Sequence, residues 1–400
     1  MLSFDINAES VEKSNLFLRK LWCELNEINK NGWLLQPSKQ EQRITIGINN
    51  IGKISFDYRK KGCIKKLYID PTHEEDTEKI RMAVQNALSG TFKTYSIRIK
   101  LIPESKNIFI APVSKQNISF SLESGCNFLT LNFLAYTSQD LKQSLGFKLW
   151  TLQALLYEYT LQNFTIDGIK FCTSEFYCED TKPVDYDYSW IDCSDCPADK
   201  NKNIILPEEC LVLISNLFAD QIKGPDGLLY NSARVLLTAY QLKTGMDHLR
   251  IPGIIDITNS TAISSIEPLA YFMNRQEGQC DKCGNKIFSV VAKIRELLAK
   301  YFDESFARYY CKTYYSNRSK LFHQGDMQSN YMHFDTCYPL IDPQNPTKIL
   351  MPPGLVDFPL FDYSSFVFRN IVHEYYDGTL IIKDKDGQET KLDKLDNWAR

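Results

Sequence analysis

Residues 303–325, DESFARYYCKTYYSNRSKLFHQG, decide how the second half of this 400-residue chain is read. Asp303 is a helix-capping residue type, and Glu304 follows it where negative charge meets the positive end of the helix dipole. Phe306, Tyr310 and Tyr314 recur every four residues and share one helix face, and Gly325 is placed to end the helix. The spacing predicts one helix over 303–324. Near its end stand Arg318 and His323. Five residues along a helix give a rise of about 7.5 Å and a turn of about 140° past one revolution. The two side chains are not stacked, yet a long arginine and an imidazole can flank one phosphate. Histidine gives or takes a proton near neutrality. The arginine fork is a permanent cation for phosphate oxygens or for a charged phosphorane. On spacing alone, such a pair is more often solvated or bonded to backbone carbonyls than catalytic.

The neighbouring residues are more specific. Tyr315-Ser316-Asn317-Arg318-Ser319-Lys320-Leu321-Phe322-His323-Gln324-Gly325 places an aromatic residue before Arg-Ser-Lys, then two apolar residues, His and a nearby Gly. This string resembles the closing motif of the Apea-like branch of the HEPN superfamily. Residues 285–302, with Ile287, Val290, Val291, Ile294, Leu297 and Leu298 at helical spacing, fit the helix that precedes it. Ile266-Glu267-Pro268-Leu269-Ala270 looks like the family's Ile-Glu-x-Leu helix, and the resemblance covers roughly residues 205–378. It implies an all-α HEPN helical bundle, usually a homodimer, in which two Arg-x-x-x-x-His motifs meet at the subunit interface. Active members are metal-independent endoribonucleases acting on RNA, many of them toxins or antiviral (abortive infection) effectors. Carried over by position, Arg318 binds phosphate and His323 serves in proton transfer. Tyr315, Asn317, Ser319 and Lys320 are the substrate-binding candidates beside them. Many active HEPN nucleases carry Asn, Asp or His after the arginine; Ser319 stands there in this chain, as is usual in the Apea-like branch.

Composition is that of an ordinary globular protein, 44% hydrophobic and 24% charged, long enough for two or three domains. A formal net charge of −3 argues against a histone-like or coating role, so RNA would have to be met by a local basic site. Asp5 and Glu9 interrupt the start before any apolar run, and no stretch approaches eighteen consecutive apolar residues. Neither a signal peptide nor a membrane span is expected. The twelve cysteines then read as reduced thiols or metal ligands, and the expected location is cytoplasmic.

Residues 9–30 read as an amphipathic helix with Leu16, Leu18, Leu21 and Leu25. From about 42 the period falls to two. Ile44, Ile46 and Ile48 lead through Asn49-Asn50-Ile51-Gly52 into Ile54, Phe56 and Tyr58, a predicted hairpin. A helix over 73–89, strands at 95–102, 107–112, 117–123 and 128–134, and a helix over 138–159 follow. Residues 1–175 therefore read as an α+β domain, an antiparallel sheet with helices, in a sensing or regulatory role. Residues 176–204 are acidic and turn-rich and read as a linker or lid. Beyond them, helices are predicted from Pro207, from about 229, over 259–273 with a bend at Pro268, over 285–302, 303–324 and 363–376. A charged tail, 379–400, closes the chain.

Cys280-Asp281-Lys282-Cys283-Gly284 has the shape that lets two thiolates grip one zinc ion. A structural zinc needs two further ligands, for which His333 with Cys337, or Cys193 with Cys196, are the candidates; the alternative is reduced thiols in a turn. Catalysis of the HEPN kind needs no cofactor. Arg308, Lys312, Arg318 and Lys320 interleave with Tyr309, Tyr310, Tyr314 and Tyr315, which can be an RNA-binding face or a bundle core with charged surface. His373 shares a helix face with Arg369 and reads as a neighbour of the site rather than part of it. Two readings stand beside the nuclease: a non-catalytic dimerisation or RNA/nucleotide-binding module, and an adaptor in a defence complex.

Overall fold

The computed structural model describes residues 1–28, 34–40, 43–58, 62–172, 176–220, 224–246, 252–273, 278–279, 286–287, 290–325, 327, 340–342, 345–350, 360–383 and 389–391. Contacts divide the chain into Met1–Tyr95 with Phe133–Gly146, and Ser96–Asn132 with Phe147–Arg400. The division falls inside the 1–175 segment that the sequence reads as one domain.

The first unit begins with β1 (Leu2–Asp5), α1 (Val11–Ile28), β2 (Leu34–Gln40), β3 (Arg43–Asn49), β4 (Gly52–Tyr58), β5 (Ile64–Pro71) and α2 (Thr77–Ser89). Its sheet is antiparallel in the order β1-β5-β4-β3-β2. The predicted hairpin is β3–β4, closed by the pairing of Asn49 with Gly52. Gly52 has to be glycine, because a Cβ there would lie 2.0 Å from the carbonyl oxygen of Asp70. Period-two alternation buries Ile54, Ile64, Leu67 and Ile69 against Ile80, Ala83, Val84 and Ala87 of α2. From α1 come Phe17, Leu21 and Leu25, while Leu16 is exposed. The i, i+4, i+8 row faces the core with Leu18 packed beside it, so of the four leucines that suggested the helix only Leu16 is off the stripe, and Phe17 takes its place. Each such aliphatic side chain contributes about 1.5–3 kcal/mol through burial.

In the next stretch come β6 (Lys93–Pro103), β7 (Val113–Lys115), β8 (Ile118–Glu123), β9 (Cys126–Ala135), α3 (Ser138–Thr160) and β10 (Phe164–Cys172). These strands form a second sheet in the order β10-β6-β9-β8-β7. The strand expected at 107–112 does not form. The Asn127 side chain takes both backbone groups of Ile110, at 3.1 and 2.9 Å, leaving only an isolated bridge to Ile204. α3 matches its expected span, and residues 154–160 of it are buried all round.

The helical region comprises α4 (Glu208–Phe218), α5 (Gly224–Met246), α6 (Pro252–Ser264), α7 (Ile266–Ala270), α8 (Val290–Tyr301), α9 (Glu304–Tyr310), α10 (Ser316–Gln324) and α11 (Leu360–Asp377). α5 pairs with α6, α8 packs against α7 and α9, α10 lies on α6, and α11 touches α4 to α7. The helix predicted over 259–273 breaks at Ser265 instead of bending at Pro268. Pro268 sits in the first turn of α7, where its missing amide hydrogen costs nothing. The 205–378 stretch is not purely helical. Gly278–Gln279 pairs with Lys286–Ile287, and Leu340–Asp342 with Asn345–Leu350; in the expected tail, Ile381–Lys383 pairs with Glu389–Lys391.

Residues 176–204 have almost no regular secondary structure, as their turn-rich composition leads one to expect. They lie within the second unit rather than between units. Trp190 and Tyr186 are buried. The anchor is Arg369 of α11, itself fully buried. Its Nη1 donates to the carbonyl of Glu158 at 2.9 Å and to Ser365 Oγ at 2.6 Å, and its Nη2 donates to the carbonyl of Trp190 at 2.7 Å. The guanidinium lies 3.2 Å from the Trp190 ring centre. One side chain thus ties the C-terminal end of α3, the 176–204 strap and α11.

Glu158 is fully buried, with no hydrogen bond to its carboxyl oxygens among the described residues. Burial pushes this carboxyl up to about 8, against the opposing pull of Arg369. An unfolded glutamate titrates near ~4.3. The folded state therefore keeps a proton that the unfolded chain releases; the stabilisation is complete below about pH 4 and is lost as the pH rises through 8. Urea unfolding from pH 5 to 8.5 is expected to show the wild type weakening over that window and Glu158→Gln flattening the slope. Parallel curves would mean Glu158 contributes nothing to it.

Candidate functional site

The stretch that opened the sequence reading forms a helix from Glu304 to Gln324, but not a uniform one. Asp303 caps it, with Oδ1 accepting from the Phe306 amide at 2.9 Å. Glu304 pairs with Arg308 at 3.1 Å and Arg295 at 3.4 Å, which makes it a helix-start residue as its position suggests. Between α9 and α10, Cys311–Tyr315 form a π turn. Tyr310 and Tyr315, five apart, are both buried. In a regular α-helix they would stand about 140° apart; the wider i→i+5 turn absorbs most of that angle. Tyr309 is exposed and Tyr314 half-buried, so the aromatic run is divided between core and surface.

Gly325 ends α10 with φ +68°, its amide donating to the Leu321 carbonyl at 2.9 Å. Gly325→Ala is expected to cost about 1 kcal/mol, read by urea unfolding; an unchanged midpoint would mean the helix ends equally well without a left-handed residue.

Arg318 turns into the junction of α6 and α7. Its Nε donates to Ser264 Oγ at 3.0 Å, and its Nη2 lies 2.9 Å from Glu267 Oε1. The Tyr315 hydroxyl donates to that same Oε1 at 2.7 Å. Burial and the Glu267 carboxylate both raise the Tyr315 phenol, so it stays a donor at neutral pH. The rings of Phe322 and Tyr315 lie 5.1 and 5.4 Å from the guanidinium. Arg318 remains 18% exposed at the side chain, enough to meet a ligand. His323, in the last turn of α10, is exposed and has no hydrogen bond to any described residue. Asn317, Ser319 and Lys320 are half-buried along the same helix. The chain therefore brings Arg318 and Tyr315 together around Glu267, while His323 is exposed five residues on. Glu267 and Ser264 are the site residues that the Arg/His spacing does not single out. The only advance signal for Glu267 lies in the Ile-Glu-x-Leu string.

His373 is placed elsewhere. It stacks on Tyr188 of the strap at 4.0 Å and sits 3.3 Å from Glu209. Of the zinc candidates, Cys280, Cys283, His333 and Cys337 lie outside the described residues, as does His248. Cys193 is exposed, and Cys196 donates to the Tyr159 carbonyl at 3.5 Å. Burial raises both thiols, Cys196 to about 12. No group of three or more His, Cys, Asp or Glu poised for a metal occurs among the described residues. A cavity of about 340 Å³ lies away from Arg318, lined by Pro112, Val113, Val184, Leu206 and Leu211. At its edge Lys115 is held by Glu208 at 2.8 Å and Asp180 at 2.9 Å. No helix among the described residues is long and apolar enough to cross a membrane.

Comparison of the sequence with protein-family models, with curated proteins and with solved structures finds no match to any of them.

Proposed function

We propose that the protein is a metal-independent endoribonuclease of the HEPN type, acting as a cytoplasmic homodimer and as a toxin or abortive-infection effector. One observation carries this reading. A nine-residue helix ended by a left-handed glycine presents an anchored arginine, part-open to solvent, and five residues on an exposed histidine that no described residue holds. His323 takes the proton from a ribose 2′-hydroxyl or gives one to the leaving 5′-oxygen. Arg318 stabilises the phosphorane. The 2′-oxygen is the nucleophile, the P–O5′ bond breaks, and a cyclic phosphate remains. Asn317, Ser319 and Lys320 line the approach. A second copy of α10 across a dimer interface brings a second arginine and histidine to the same site.

The ion pair of Arg318 with Glu267 favours a second reading, in which a neutralised arginine stiffens a dimerisation or RNA/nucleotide-binding module that does no chemistry. The deciding experiment is cleavage of a mixed RNA pool in EDTA by wild type and His323→Ala, with end-group analysis. Cyclic-phosphate ends from the wild type alone are expected. RNA binding without cleavage, equal in both proteins, would give the second reading the stronger case.

A further inference from the structure

An arginine that meets phosphate in a transition state has to be aimed beforehand, and a long side chain in water is not. Three groups aim Arg318. Ser264 and Glu267 both sit along the Nε–Nη2 edge of the fork, at 3.0 and 2.9 Å. The Tyr315 hydroxyl fixes the carboxylate by donating to the same Oε1 at 2.7 Å. That hydroxyl reaches Glu267 because the π turn carries Tyr315 round onto the buried face. A guanidinium has five N–H donors. Described residues engage two of them, and none of the described residues holds Nη1.

We infer that Glu267 is a positioning residue for Arg318, and that it also sets how strongly the site holds an unreacted phosphodiester. The inference rests on reading α10 as a phosphate-handling site. The carboxylate cancels much of the arginine's pull on a singly charged diester, so ground-state binding is kept weak. A phosphorane carries more negative charge and gains more from a fork already in place. Loss of the carboxylate then has opposite effects on binding and turnover: phosphate is held more tightly and the reaction slows.

Full-length wild type, Glu267→Gln, Tyr315→Phe, Arg318→Ala and the Glu267→Gln/Arg318→Ala double variant test this. Inorganic phosphate is the probe, its dissociation constant read from the concentration dependence of thermal unfolding. Glu267→Gln is expected to bind phosphate about tenfold more tightly, and Tyr315→Phe a few-fold. Both variants lacking Arg318 should show no saturable effect. In RNA cleavage, Glu267→Gln should lower KM and lower kcat by about tenfold. A brace with no electrostatic role would lower stability and weaken binding and turnover together, which would overturn the inference, as would a Glu267→Gln protein identical to wild type in both readouts. Should Tyr315→Phe alone fold, its phosphate affinity decides by the same criterion. A wild type that cleaves no RNA while the phosphate series behaves as expected defeats the nuclease reading and leaves the positioning role standing. Cleavage that Glu267→Gln leaves untouched does the reverse.

Discussion

Arg369→Ala is expected to cost about 3–5 kcal/mol of folding stability, the range for breaking a buried charged group out of its partners. Three hydrogen bonds go at once; the Trp190 carbonyl loses the donor that satisfies it, while the Glu158 carbonyl keeps the Ser365 hydroxyl. A buried acceptor so stranded costs ~1–3 kcal/mol. The Trp190 ring also loses the guanidinium stacked over it. Lysine cannot substitute, because one ammonium cannot reach two carbonyls and Ser365 from a fixed plane; Arg369→Lys should recover less than half the loss. Urea unfolding followed by Trp fluorescence is the measurement. A loss below 1 kcal/mol for Arg369→Ala would mean the strap is held by its apolar contacts alone.

His323→Ala is expected to slow RNA cleavage by roughly a hundred- to ten-thousand-fold, the usual share of a general acid or base. Its stability should stay within ~0.5 kcal/mol of wild type, since the side chain is exposed and bonded to no described residue. That separation is the diagnostic feature. Arg318→Ala differs, because it leaves Glu267 with Tyr315 as its remaining described partner and takes from Ser264 the donor its hydroxyl accepts, leaving only its bond to the Ser260 carbonyl. Activity and stability should fall together there. A His323→Ala protein that cleaves at the wild-type rate would remove the histidine from the mechanism, whatever Arg318 does.

The sequence announces elements whose hydrophobic period is clean. The β3–β4 hairpin and α3 are read almost residue for residue; of the helix expected over 285–302, Ile294, Leu297 and Leu298 are core, but it begins at Val290, Lys286–Ile287 pairs as a strand and Val291 is exposed. Where local polar chemistry competes, the reading fails. Asn127 captures Ile110 from seventeen residues away and dissolves an expected strand. The π turn is not announced by local spacing, and what it brings together is tertiary: Tyr315 and a carboxylate forty-eight residues earlier. The same holds for 176–204. Its composition reads as solvent-facing, yet Trp190 and Tyr186 go inside because Arg369, on a helix that reads as amphipathic, is turned inward to hold them. At the candidate site, Arg318, His323 and the Gly325 stop are legible from local spacing. The ring of groups around Arg318 is not, since Ser264 belongs to another helix.

The strap has a consequence for where this chain can be divided. A fragment starting at residue 205 would carry every described helix from α4 onward and both motif residues. It would also carry Arg369 with neither of the backbone oxygens that receive it, and a tryptophan-shaped opening beside it. Such a piece is expected to be insoluble or loosely packed when expressed alone. Supplying the upstream piece in trans should rescue it only if that piece includes both Glu158 and Trp190. The ends of a workable truncation are set by the oxygens that serve one arginine, and the first residue of a helix is a poor guide to them.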